Sequence, residues 1–132
     1  MPFPATSLAT LLAVLVYFWM SMQVGRTRGA VGIPAPAMTG NDLLERTIRA
    51  HMNTLEWMPI FLPALWLFAL GWGDKLAALF GVIWVIGRIV YFLGYIRAPS
   101  GRAMGFYIQA LAGAVLLFGA LGRVVWSLVT GA

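Results

Sequence analysis

Long apolar runs, separated by short segments rich in polar residues, glycine and proline, dominate the pattern of this chain. A helix needs about 20 residues to cross roughly 30 Å of hydrocarbon, and four segments are long and apolar enough to do so. The pattern therefore predicts an all-α fold, an integral membrane four-helix bundle forming one domain over residues 1–132. The four predicted spans are residues 5–24, 41–72, 76–97 and 103–129.

The segment between the first two spans is predicted to be a loop. It contains Gly32, Pro34 and Pro36, residue types that interrupt regular structure. On this interpretation Arg28 lies just past the end of the first helix. Residues 39–42 offer side chains that cap helix N-termini, and we expect the second helix to begin there.

Composition excludes several classes of protein. With 61% apolar and only 10% charged residues, the chain lacks the charge that covers a soluble domain. The net charge of +5 is distributed between apolar runs and forms no stripe, so we expect membrane lipids or an acidic ligand as partner and no nucleic acid. There is no cysteine and a single histidine, His51, so no metal site is predicted.

Basic residues predict the orientation in the membrane. Cytosolic loops carry an excess of lysine and arginine. The first and third loops, with the adjoining helix turns, hold six of the nine basic residues. We therefore expect these two loops in the cytosol, in a multi-pass protein of a bacterial inner membrane. The six are Arg26, Arg28, Arg46, Arg49, Arg97 and Arg102.

The second span is unusual because it is too short without its polar start. Its apolar part, residues 57–72, would be roughly 24 Å long as a helix, so spanning requires Asn53 and Glu56 to lie at or beneath the headgroups. Polar groups at that depth are tolerated where they face protein or a water-filled cavity. This pattern predicts a functional site.

The candidate site combines two helix faces. Arg49, Asn53 and Glu56 are spaced i, i+4 and i+7 on the second helix, and Tyr91 and Tyr95 are spaced i and i+4 on the third. Guanidinium groups bind carboxylates, a carboxylate binds an ammonium, and phenol hydroxyls bind a thiol or carbonyl. A zwitterionic peptide with two carboxylates, one amine and a thiol would fit this set.

Other polar residues leave structural alternatives open. Arg88 shares a face with Tyr91, and a charge inside a span costs about 2.5–3.5 kcal/mol, so it needs a partner. Glu56 is the only acid within an apolar run and is the expected partner. His51 lies roughly 200° around the helix from Arg49, which favours a polar contact with a neighbouring helix. Taken alone, Arg28 is more typical of a lipid-headgroup anchor.

Three motifs resemble the MAPEG family, the membrane-associated proteins in eicosanoid and glutathione metabolism. The second helix carries ERTIRAHMNTLE at residues 45–56, followed by WMPIF at 57–61. The third carries RIVYFLGY at residues 88–95, and SMQV at 21–24 fits the end of the first. The resemblance covers nearly the whole chain. It implies a homotrimer of four-helix protomers that binds glutathione between subunits near the cytosolic face.

The resemblance also implies which residues serve glutathione, the cosubstrate. Arg102 matches the arginine that stabilises the thiolate in the conjugating members, and Tyr95 would offer its hydroxyl to the thiol. Arg28 and His51 would reach across a subunit interface. The implied glutathione-binding residues are Arg28, Arg49, His51, Asn53, Glu56, Tyr91 and Tyr95.

The resemblance implies a membrane-bound glutathione S-transferase of the microsomal type with a role in detoxification. Its thiolate would attack a hydrophobic electrophile from the bilayer, and a glutathione peroxidase activity is a companion expectation. Gly29 stands where leukotriene-forming members carry a second arginine, and Trp57 replaces a frequent tyrosine, which argues against that specialised epoxide opening. The alternatives are a non-catalytic lipid-binding scaffold of the family, a glutathione-dependent isomerase, and a small-solute transporter.

Overall fold

Four long helices make up nearly all of the protein. The structure is a computed structural model that describes residues 1–132. A single 3-10 turn, Pro99–Arg102, precedes the last helix. Each of the four long helices is long and apolar enough to cross a membrane. The predicted all-α fold of membrane-spanning helices is confirmed. The helices are α1 (Pro4–Val31), α2 (Asp42–Trp72), α3 (Asp74–Arg97) and α4 (Ala103–Thr130).

The first helix is longer than the sequence pattern predicts. Helix α1 continues past Val24 to Val31 and ends where Gly32 adopts a left-handed conformation, with φ 72°. Glycines inside a helix cost about 1 kcal/mol each relative to alanine, which weakens a helix without ending it. The prediction that Arg28 lies beyond the first helix is therefore wrong, because Arg28 belongs to the last turn of α1.

The second helix begins where its capping residues predict. The side chain of Asn41 accepts a hydrogen bond from the backbone N–H of Leu44 at 3.0 Å, which satisfies one of the free donors of the first turn. The helix then continues without a break through Pro59 and Pro63, both of which face outward.

Contacts at the helix ends show that α1 and α3 run in the same direction, with α2 running opposite to both. The carboxylate of Asp74, at the start of α3, accepts the backbone N–H groups of Ala5 at 3.0 Å and Thr6 at 2.7 Å, at the start of α1. At the other end Arg46 donates to the carbonyl of Ile96 at 3.2 Å. The loop between α1 and α2 and the turn between α3 and α4 therefore lie at the same end of the bundle.

Glycine contacts bring α3 and α4 unusually close. A side-chain carbon at Gly105 would collide with the backbone of Tyr91, and one at Gly101 would collide with the backbone of Gly94. Small residues allow helix backbones to approach in this way in membrane proteins. As a result the 3-10 turn lies directly against α3, and Arg102 is brought to the level of Tyr95.

Candidate functional site

An open cavity of about 680 Å³ lies at the bundle end that carries these two connections. Helices α2 and α3, the 3-10 turn and the first turns of α4 form its wall. Four of the residues singled out from the sequence line it, and the other five come from the turn and from α4. The lining residues are Arg49, Asn53, Tyr91, Pro99, Ser100, Arg102, Ala103, Phe106 and Tyr107.

Helix α2 carries an exposed ion pair, of which Arg49 lines the cavity and Glu56 does not. The Nη1 of Arg49 lies 3.1 Å from Oε1 of Glu56, and the two side chains are 53% and 50% exposed. Ion pairs with this exposure contribute at most about 1 kcal/mol. Arg49 can therefore leave Glu56 for a carboxylate of a ligand, and Glu56 can leave Arg49 for the ligand's ammonium group.

The expected pairing of Arg88 with Glu56 is wrong. Arg88 is fully buried and donates from both terminal nitrogens to Oδ1 of Asn53, at 2.9 and 2.8 Å. Glu56 pairs with Arg49 at the surface, where both groups keep part of their hydration. Drawing the carboxylate inward to Arg88 would add a desolvation cost of several kcal/mol.

The two residues predicted to be catalytic contact each other. Arg102 ends the 3-10 turn, and its Nη1 donates to the hydroxyl of Tyr95 at 3.3 Å. The guanidinium carbon also lies 5.2 Å from the centre of the Tyr95 ring. Tyr95 is buried and reaches the cavity through Arg102, since it is not itself part of the lining.

Arg28 and His51 do not reach this cavity within one chain. Arg28 donates to the carbonyls of Ile33 and Ala37, which anchors the loop after α1. His51 packs edge-on against Tyr17 of α1, with ring centres 4.5 Å apart, and lines a separate groove of about 390 Å³. Contact of either residue with glutathione would require a neighbouring subunit, and it stays a prediction.

An aromatic wall of the cavity was not among the predicted site residues. Phe106 lies between Trp57 and Tyr91, with ring centres 5.9 and 6.4 Å away, and Tyr107 next to it is 66% exposed. Phe106 follows Arg102, the N-cap residue of α4, by four residues, which places both on the same side of the start of this helix. This four-residue spacing from Arg102 was the sequence signal that could have identified Phe106 as a site residue. The wall provides an apolar surface immediately beside the guanidinium group.

Comparison with known proteins identifies the family. The sequence profile of the MAPEG family matches residues 6–122, nearly the whole chain. The chain belongs to the MAPEG family. The predicted resemblance is thereby confirmed, and the four apolar helices are those of an integral membrane protein of this family.

Several known proteins are similar to this chain along most of their length. An uncharacterized protein from Synechocystis is 42% identical over 92% of this chain and 89% of its own. Human microsomal glutathione S-transferase 2 is 32% identical over 86% of this chain and 78% of its own. Leukotriene C4 synthase of Cavia porcellus is 38% identical over 78% of this chain and 69% of its own. These relatives support a glutathione-related role.

Proposed function

We propose that the protein is a membrane-bound glutathione S-transferase that activates the glutathione thiol in the cavity between α2, α3 and α4. The contact between Arg102 and Tyr95 carries this proposal. It places a cation and a phenol hydroxyl side by side at the wall of a cavity that also holds Arg49, Asn53 and Tyr91. The similarity to microsomal glutathione S-transferase 2 supports the same activity.

Binding would replace the exposed ion pair of α2. A carboxylate of glutathione takes the guanidinium of Arg49, and its ammonium takes the carboxylate of Glu56, so that both charges exchange one partner for another. The exchange is favourable because the internal pair is half exposed and weak. Arg28 and His51 would complete the site from the next subunit of a homotrimer.

Thiol activation is assigned to Arg102. A free thiol has a pKa of about 8.5, so only a few per cent is thiolate at neutral pH. A guanidinium next to the sulfur favours the thiolate. The hydroxyl of Tyr95 accepts a hydrogen bond from Arg102 and so orients that guanidinium toward the cavity. The thiolate attacks an electrophile, a sulfur–carbon bond forms, and the leaving group departs with the electron pair.

The electrophile would enter from the bilayer along α4. Tyr107 is exposed on the outer surface of this helix and Phe106 continues the aromatic surface inward to the cavity. An apolar molecule can therefore pass from lipid to the thiolate without crossing water. A lipid hydroperoxide would use the same route in a peroxidase reaction, in which two glutathione molecules yield the disulfide, an alcohol and water.

We further propose that the connections carrying the cavity face the cytosol of a bacterium, in its inner membrane. The excess of arginines at that end supports this orientation, since basic residues are retained on the cytosolic side. Glutathione in the cytosol would then reach the cavity directly.

The decisive experiment combines binding with product analysis. We expect purified protein in mild detergent to bind glutathione by calorimetry and to convert 1-chloro-2,4-dinitrobenzene into its glutathione conjugate, identified by mass. Substituting Arg97, an exposed arginine outside the cavity, should change neither result. Binding without any conjugate would favour the scaffold alternative, and an isomerised product without glutathione consumption would favour the isomerase. Absence of glutathione binding would refute the proposal.

A further inference from the structure

Arg88 lies behind the cavity wall and contacts two residues that line it. Its side chain has no exposed surface and is not part of the lining, whereas Asn53 and Tyr91 are. Both terminal nitrogens of Arg88 reach Oδ1 of Asn53, at 2.9 and 2.8 Å. The two hydrogen bonds hold Asn53 from the side facing away from the ligand space.

This contact determines which end of the Asn53 amide is free. A side-chain amide has an oxygen with two lone pairs and a nitrogen with two hydrogens, and a guanidinium group has donors only. Arg88 therefore accepts no hydrogen bond from Nδ2 and must face the oxygen. With its oxygen occupied by two donors, Asn53 has only its two N–H groups left for a ligand.

Arg88 is itself held in one place. Its guanidinium carbon lies 4.3 Å from the centre of the Tyr91 ring and 5.8 Å from that of Trp84, so the cation packs against aromatic faces. No acidic side chain contacts it, since the one ion pair in the chain joins Arg49 and Glu56. Moving Arg88 away from Asn53 would leave a buried charge without its only polar side-chain partner.

We propose that Arg88 is a positioning residue that fixes Asn53 as an obligate hydrogen-bond donor toward an acceptor oxygen of the bound peptide. The proposal rests on the proposed function, in which that peptide is glutathione. Asn53 then selects a carboxylate or carbonyl oxygen and rejects an ammonium group, a selection that asparagine without Arg88 would not make because its amide could rotate. Arg88 acts on affinity and has no part in the chemical step, which Arg102 and Tyr95 carry out.

The first test is Asn53→Asp. The aspartate has nearly the same shape and keeps a bidentate partner for Arg88, so we expect the thermal unfolding midpoint to be unchanged or higher. It offers the cavity oxygen atoms where the parent offers N–H groups. Glutathione affinity measured by calorimetry should therefore fall about tenfold or more, because a charge-assisted hydrogen bond is replaced by repulsion. Equal affinity of variant and parent would overturn the proposal.

The second test asks whether Arg88 acts through Asn53. Arg88→Met should weaken glutathione binding about tenfold in the parent but change it less than twofold in an Asn53→Ala background, because the residue being positioned is then absent. At saturating glutathione, kcat should stay within about threefold of the parent, while KM rises with Kd. An equal loss in both backgrounds would show that Arg88 does not act through Asn53.

A matched control separates positioning from packing. Gln109 is also fully buried, packs against Gly87 beside Arg88, and does not line the cavity. Gln109→Leu should leave the Kd for glutathione unchanged. If Arg88→Met does not fold, Asn53→Asp still decides the question, since it retains Arg88 and its partner. If the parent protein binds no glutathione, the proposed function is refuted. If the parent and the Asn53→Asp variant bind glutathione equally well, only this inference is refuted.

Discussion

Replacing Arg102 by leucine should slow the chemical step and leave glutathione binding nearly intact. Arg102 lies at the cavity wall, where it donates a hydrogen bond to the hydroxyl of Tyr95 and makes none to Arg49, Asn53 or Glu56. Its charge acts on the thiolate, which is the reacting form of glutathione, so its loss affects the transition state more than the bound ground state.

The size of the effect follows from Coulomb's law. Two unit charges 4 Å apart interact with about 4 kcal/mol at an effective dielectric constant of 20. Because the Arg102 side chain is exposed, solvent and salt reduce this interaction energy. We use a reduced interaction energy of about 1.4 to 2.8 kcal/mol, which corresponds to a thiol pKa lowered by about one to two units. The thiolate fraction at pH 7 then rises from about 3% to about 25–75%. Arg102→Leu should therefore reduce turnover at neutral pH by about tenfold or more.

The sign of the pH dependence gives a second readout. Without the cation the pKa of bound glutathione returns toward its ordinary value, so the rising limb of the pH–rate profile moves to higher pH by about one to two units. Above pH 9 to 10 both proteins hold thiolate and the difference between them should shrink. The thiolate is measured by its ultraviolet absorbance on mixing enzyme and glutathione, with Arg97→Leu as the matched control. If Arg102→Leu forms as much thiolate as the parent at pH 7, Arg102 is a headgroup anchor and Tyr91 and Tyr95 become the candidates for activation.

Three further predictions concern affinity, topology and assembly. Arg49→Ala should weaken glutathione binding by about 1.5–3 kcal/mol, the range of a hydrogen bond to a charged group, without weakening an apolar ligand; equal losses of both in calorimetry would indicate misfolding. A cysteine at the exposed position Ala30 should be protected from an impermeant thiol reagent in intact cells, and ready labelling would reverse the proposed orientation. The protein should have the mass of a trimer in mild detergent, because Arg28 and His51 lie outside the cavity of their own chain; a monomeric mass would contradict this.

Sequence periodicity predicts what lies on one helix better than what lies between helices. The spacing of Arg49, Asn53 and Glu56 places them on one face of α2, and the ion pair between the first and last confirms that face. The same geometry places His51 away from it, against Tyr17 of α1. The partner of Arg88 depends on the relative heights of α2 and α3, which no spacing within one helix specifies.

The end of the first helix was mispredicted for a similar reason. Glycine and proline mark places where a helix is able to end, and α1 passes Gly25 and Gly29 before it ends at Gly32. Which glycine ends the helix depends on contacts made afterwards, here the anchoring of the following loop by Arg28. The aromatic wall was missed for a different reason, because Phe106 in an apolar span looks like any lipid-facing or core residue until Arg102 is placed beside it.

The candidate site divides into a rigid inner part and an exchangeable outer part, and this division explains how one cavity can bind and activate the same thiol. Arg88, Asn53 and Tyr91 are held by part-buried hydrogen bonds and by a cation–aromatic contact. Their geometry therefore exists before a ligand arrives, and ordering them costs little on binding. The pair Arg49–Glu56 and the side chain of Arg102 are exposed, and their charges become effective only when a ligand excludes water from them. Substitutions in the inner part should therefore act mainly on Kd, and substitution of Arg102 on kcat. A variant series in which glutathione affinity and kcat always fell together would show that the two parts do not act separately.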